Sequence, residues 1–116
     1  MPSLRIFSMY NQSMLTVVET AEFMAQTRQF WDDGEREAFI DWIAFNPDAG
    51  DVIPGLGGLR KVRWAAGGKG KRGGARVIYL ARTARGDLVL VTAYTKGRIE
   101  NIPIDILRKL MEKYDV

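Results

Sequence analysis

Positively charged side chains without any intervening acid dominate the middle of this chain. Nine Lys/Arg and no Asp or Glu occur between Asp51 and Asp87, although the net charge is only +3. Eight of these cations lie in two strand-like segments, 59–64 and 76–82, and in the glycine-rich loop between them, and the ninth is Arg85. A cationic surface built on a sheet suits a polyanion, and RNA or DNA is the first candidate.

Side-chain alternation selects the cations that could act together. Lys61 and Arg63 fall on one face of the first segment, and Arg76 begins the second. If Arg76 lies on the same side of the sheet, three cations converge within about two strand spacings. Like charges that close cost free energy unless an anion neutralises them. The alternative is the solvated basic face of an ordinary sheet.

Other basic and aromatic side chains could contact a nucleic acid through charge or stacking. They are Arg60, Lys69, Lys71, Arg72, Tyr79, Tyr94 and Arg98. Glycine lets a backbone approach a phosphate closely, so the loop around Lys69 could bind phosphates, or it could be a solvated hairpin connection. Tyr79 and Tyr94 could stack on bases or transfer protons, although half-buried sheet tyrosines are commoner.

Composition restricts the chemistry that is available. Histidine and cysteine are absent, which leaves Lys, Arg, Tyr and carboxylates for any catalysis. We therefore expect no metal and no cofactor. The chain has no apolar run of about 18 residues and no secretory-signal pattern at its N-terminus, so we expect a cytoplasmic protein without a membrane span.

The elements that must position these residues follow the order β-α-α-β-β-β-α. We predict strands over 14–19, 59–65, 76–81 and 88–94, with a hairpin turn at 85–87. The first helix runs from Thr20 to about Trp31. Asp32 and Glu35 form a capping box for the second, and Asn46-Pro47 ends it.

A last helix begins near Pro103. The sequence thus predicts an α+β fold in which helices cover one face of a small, largely antiparallel sheet. Residues 14–116 are expected to form the domain, with 1–13 as an N-terminal extension. Trp31, Trp42 and Trp64 are expected in the core.

A string of short motifs adds a family resemblance. The motifs are Glu-Arg-Glu-Ala-Phe-Ile at 35–40, Asn-Pro at 46–47, Gly-Asp-Val-Ile-Pro-Gly at 50–55, Gly-Gly-Leu-Arg-Lys-Val-Arg at 57–63, Gly-Lys-Arg-Gly-Gly at 70–74, Arg-Val-Ile-Tyr at 76–79, Tyr94, Lys96 and Asn-Ile-Pro at 101–103. Together they resemble the RelE/HigB-type toxins of bacterial toxin–antitoxin modules, from about Met14 to the last residue.

The resemblance implies a RelE-like fold with two N-terminal helices and one C-terminal helix. It also implies a metal-independent endoribonuclease that cuts mRNA on the ribosome, and a HigA-like helix-turn-helix antitoxin as partner. The positions that it makes catalytic are Lys61, Arg63, Arg76 and Lys96. The chain departs from the family at Gly97-Arg98-Ile99, where relatives often carry a more polar run, so Arg98 or Tyr94 could replace the terminal catalytic group.

The chemistry implied is attack of an RNA 2′-hydroxyl on the neighbouring phosphate. Arginine stays protonated in proteins, so Arg63 and Arg76 would stabilise the developing charge. Neighbouring cations favour a neutral lysine amine, which makes Lys61 the candidate base, with Lys96 as the candidate acid. Two alternatives remain open, namely a gyrase-poisoning toxin of the related ParE type and an RNA-binding module without catalysis.

Overall fold

One mixed sheet with helices packed against it organises the part of the chain that this computed structural model describes, residues 3–5, 15–64, 74–95 and 101–116. The strands are β1 (Ser3–Arg5), β2 (Val17–Glu19), β3 (Asp51–Val52), β4 (Arg60–Trp64), β5 (Ala75–Leu80) and β6 (Leu88–Thr95). The helices are α1 (Ala21–Thr27), α2 (Asp33–Phe45) and α3 (Ile104–Tyr114). The predicted α+β class and element order are confirmed, with β1 and β3 as short additional strands.

The strands lie in the order β1-β2-β6-β5-β4-β3. Every neighbouring pair is antiparallel except β2 and β6, which run parallel, so the predicted largely antiparallel sheet is confirmed. The predicted turn between β5 and β6 closes where the Thr83 N–H donates to the Asp87 carbonyl at 2.8 Å. Gly86 has a φ of +86° there, a backbone conformation that glycine adopts without strain.

The first face of the sheet packs against α1 and α2. Its side chains Val62, Val77 and Tyr79 join a core whose buried helical members are Phe23, Phe39, Ile40, Ile43 and Ala44. The three tryptophans pack partly buried against this core, as predicted, and the Trp42 and Trp64 ring centroids are 4.8 Å apart. We call this side the α1/α2 face.

The second face of the sheet packs against α3, and we call it the α3 face. There Leu107 lies in a second core with Ile78, Val89, Val91 and Tyr94. The prediction that helices cover a single face is therefore wrong. Val77, Ile78 and Tyr79 are consecutive and almost fully buried, so both faces of β5 are apolar and each needs a helix.

The helix boundaries follow local hydrogen bonds. The Asp32 side chain accepts from the Glu35 N–H at 2.8 Å and the Glu35 side chain accepts from the Asp32 N–H at 3.4 Å, which confirms the predicted capping box. Helix α1 ends at Thr27, earlier than predicted, where the amides of Gln29 and Phe30 bond to carbonyls three residues back in a tighter turn. β1 lies in the predicted N-terminal extension, whose boundary stays a prediction.

Candidate nucleic-acid interface

Three of the predicted cations lie on the α3 face of two adjacent strands. The register places Arg63 directly opposite Arg76, and Lys61 opposite Ile78, which belongs to the α3-side core. Side chains that are opposite each other in a sheet share a face, with Cβ atoms about 5 Å apart. The predicted shared face of Lys61, Arg63 and Arg76 is thus confirmed. Two arginines in this position repel each other.

The row of opposed residues extends onto a third strand. Tyr94 on β6 is the register partner of Arg76, and its side chain is 6% exposed. Arg63 is exposed and Arg76 is half-buried. The row Arg63–Arg76–Tyr94 therefore runs from an exposed guanidinium to a largely buried phenol. Strand β4 lies between β5 and the edge strand β3. On β3, Asp51 is the register partner of Lys61, so a carboxylate borders the three cations on that side.

The Lys61 side chain reaches the segment that leads into α3. Its Nζ donates a hydrogen bond to Asn101 Oδ1 at 3.0 Å. Beside this contact lies a cavity of about 200 Å³, lined by Ile53, Lys61, Ile78, Tyr94, Asn101, Ile102, Ile104 and Leu107. We call it the α3 cavity. Asn101 received no role from the sequence, because forty residues separate it from Lys61 and only the fold brings them together.

Tyr79 is a structural residue on the α1/α2 face. Its side chain is fully buried, and its hydroxyl donates to the Pro47 carbonyl at 2.8 Å and accepts from the Gly50 N–H at 2.8 Å. Burial raises the pKa of Tyr79 above the usual value of 10.0. The prediction that Tyr79 contacts RNA is therefore wrong. Its odd-numbered spacing from Arg76 turns it to the opposite side of β5.

Arg60 also faces away from the three cations. It is the register partner of Tyr79, and its guanidinium donates to the Gly50 carbonyl at 2.6 Å and lies 3.6 Å from the Asp48 carboxylate. Arg82 contacts the same carboxylate at 2.9 Å. These two arginines hold the loop between α2 and β3, and the RNA contact of Arg60 stays a prediction.

The remaining predicted residues are Lys69, Lys71, Arg72, Lys96 and Arg98, which lie outside the described residues, so their roles stay predictions. The catalytic roles of Lys61, Arg63 and Arg76 and the RNA contact of Tyr94 also stay predictions. Across the described ranges, no group of three His, Cys, Asp or Glu side chains is placed to hold a metal ion.

Of the helices in the same ranges, none combines the length and apolar character that crossing a membrane requires. A scan of the chain against models of known protein families finds no match. The resemblance to RelE/HigB-type toxins therefore remains a prediction from the motifs.

Proposed function

We propose that this protein is the toxin of a toxin–antitoxin module and cleaves mRNA on the ribosome as an endoribonuclease. The observation that carries the proposal is the direct opposition of Arg63 and Arg76, with Lys61 on the same face. Two guanidinium groups side by side on adjacent strands could contact one phosphodiester, since guanidinium matches the geometry of phosphate oxygens. The ordered motifs of the sequence supply the family and the reaction.

The proposed reaction is attack of a 2′-hydroxyl on the adjacent phosphorus. A new bond forms from the 2′-oxygen to phosphorus, the bond to the 5′-oxygen breaks, and the products end in a cyclic phosphate and a 5′-hydroxyl. Arg63 and Arg76 stabilise the charge on the crowded phosphate. Lys61 accepts the proton of the attacking hydroxyl and Lys96 protonates the leaving oxygen. The ribosome contributes by holding the message in the reactive orientation.

The proposed partners are mRNA on the ribosome and a HigA-like helix-turn-helix antitoxin in the cytoplasm. The motifs between residues 35 and 103 support both. The grouping of Lys61, Arg63 and Arg76 on one face favours a single RNA path over binding all around the molecule.

Mapping of mRNA 5′ ends by primer extension after brief induction tests the proposal, with and without ribosomes. We expect Arg76→Ala and Lys61→Ala to abolish both growth arrest and the new 5′ ends. Arg85→Ala is the matched control, because Arg85 is an exposed cation in the turn between β5 and β6. Unchanged toxicity in both site variants would refute this site.

Lys61→Arg separates two roles of the lysine. Arginine keeps the positive charge but does not give up a proton in proteins. If Lys61 is the base, Lys61→Arg is as inactive as Lys61→Ala. RNA binding without new 5′ ends would instead support the binding module, and DNA damage with intact mRNA would support a gyrase-poisoning toxin.

A further inference from the structure

The α3 cavity lies one residue pair along the sheet from Arg63 and Arg76, and its lining combines apolar side chains with the polar groups of Lys61 and Asn101. Four isoleucines, Ile53, Ile78, Ile102 and Ile104, line it together with Tyr94, Lys61 and Asn101. We infer that this cavity is a specificity pocket for one base of the RNA, and that Asn101 selects bases with a carbonyl oxygen at the O4 or O6 position (uracil or guanine) over bases with an amino group at the N4 or N6 position (cytosine or adenine). The inference rests on the proposed function.

The size of the cavity fits a single ring system. Drug-sized ligands occupy pockets of about 300–1,000 Å³. The α3 cavity, at about 200 Å³, is too small for a whole nucleotide but large enough for its planar base. The isoleucine side chains that line the cavity would supply apolar contacts to such a base.

The orientation of the Asn101 amide sets the chemistry of the rim. Lys61 Nζ donates a hydrogen bond to the amide oxygen of Asn101 at 3.0 Å, and a lysine nitrogen can donate in both its protonated and its neutral form. The two N–H donors of the Asn101 amide therefore form its other end. A donor at the rim pairs with the O4 of uracil or the O6 of guanine and opposes the amino groups of cytosine and adenine.

The position of the cavity fits the proposed phosphate site. Lys61 is two residues from Arg63, and Ile78 is two residues from Arg76, on the same face. Two residues of a strand span about 7 Å, so the cavity lies one residue pair along the sheet from the two arginines. This separation is comparable to that between the phosphate and the base of one nucleotide. A phosphate between Arg63 and Arg76 would bring a base to the cavity.

Binding of 2′-fluoro octanucleotides tests the inference, because they lack the attacking hydroxyl. Fluorescence anisotropy would compare uridine with cytidine octamers, and cytidine octamers with one central guanosine or adenosine. One good base contact gives about fivefold discrimination or more, so wild-type protein should bind the uridine octamer at least about fivefold more tightly than the cytidine octamer. Asn101→Asp replaces the donors with an acceptor and should abolish or reverse this ratio.

Two isoleucines on α3 provide a matched pair of variants. Ile104 lines the cavity and is 47% exposed, whereas Ile106 is 45% exposed and lies outside it. Ile104→Trp should obstruct the cavity and reduce the preference for uridine, and Ile106→Trp should leave it unchanged. Melting temperatures would verify that each variant is folded.

Equal binding of uridine and cytidine octamers by wild-type protein would overturn the pocket and leave RNA binding intact. If Asn101→Asp keeps the wild-type preference for uridine, the proposed role of Asn101 in the pocket is also overturned. If wild-type protein binds no octamer but still produces new mRNA 5′ ends with ribosomes, the pocket fails and the proposed function stands. If it binds no octamer and produces no new 5′ ends, both fail, so the titrations and the primer extension together distinguish the two failures.

Discussion

The Tyr79 hydroxyl should stabilise the loop between α2 and β3, and Tyr79→Phe removes that hydroxyl alone. The Gly50 N–H and the Pro47 carbonyl, both on buried residues, each lose a hydrogen bond of 2.8 Å. Leaving buried polar groups without this partner costs about 2 kcal/mol. An unfolding entropy of about 2 cal/mol/K per residue gives roughly 4 °C per kcal/mol for a chain of 116 residues, so the melting temperature should fall by about 8 °C.

The same variant has a pH signature. Burial raises the pKa of Tyr79 above 10.0, so the folded protein holds this proton more tightly than the unfolded chain does. The resulting stability is fully present below about pH 10 and is lost as the pH rises through the raised pKa. Tyr79→Phe lacks this contribution. The stability difference between wild-type protein and the variant should therefore narrow above pH 10.

Thermal unfolding followed by circular dichroism at about pH 7 and pH 11 measures both effects. Tyr114→Phe is the control, because the Tyr114 hydroxyl accepts a hydrogen bond of 3.0 Å from the Glu22 N–H at a partly buried helix end. The fall in melting temperature should be smaller for Tyr114→Phe than for Tyr79→Phe. A melting temperature of Tyr79→Phe within about 2 °C of wild type would refute the reasoning. If Tyr79→Phe is folded but no longer binds RNA, Tyr79 contacts RNA and the structural assignment is wrong.

Two further predictions concern side chains that anchor α2. Arg36 forms an ion pair with the fully buried side chain of Glu19, so Arg36→Ala leaves a buried carboxylate without this partner and should cost about 3–5 kcal/mol, measured by urea unfolding. Glu19→Gln should be milder if the lost charge balance is the cause. Asp32→Ala removes the cap from the Glu35 N–H and should cost about 1 kcal/mol, whereas Asp33→Ala, whose side chain is 98% exposed, should leave the melting temperature nearly unchanged.

Local rules predicted the parts of the site that depend on a single strand. The alternation of side chains placed Lys61 with Arg63. The same rule explains why Tyr79, three residues from Arg76, lies on the other face of β5. The register between β4 and β5 cannot be predicted from either strand alone, because it depends on the connection between the two strands. The direct opposition of Arg63 and Arg76 thus required the structure.

Contacts between distant segments explain the predictions that the structure corrected. The partners of the Tyr79 hydroxyl lie about thirty residues away, at Pro47 and Gly50. The apolar run of β6 from Leu88 to Ala93 did contain the signal for helices on both faces, since every residue in it is buried. Such runs are typical of strands that are covered on both sides.

The fold divides the described cations of the acid-free segment between the two faces of the sheet. Neighbouring residues on β4 point in opposite directions, so Arg60 and Lys61 serve different faces. On the α1/α2 side, Asp48 balances Arg60 and Arg82, although this acid lies outside the basic segment in sequence. On the α3 side, the described cations of the segment that share a face are Lys61, Arg63 and Arg76.

A count of charges along the chain therefore overestimates the number of cations that share one face of the sheet. If all nine cations acted together, neutralising any one of them would weaken RNA binding by a similar amount. The described strand cations Arg60, Lys61, Arg63 and Arg76 are divided between two faces, so Arg63 and Arg76 should each contribute to the salt dependence of RNA binding. Arg60 should contribute to stability instead, because its guanidinium is committed to the carbonyls of Asp48 and Gly50.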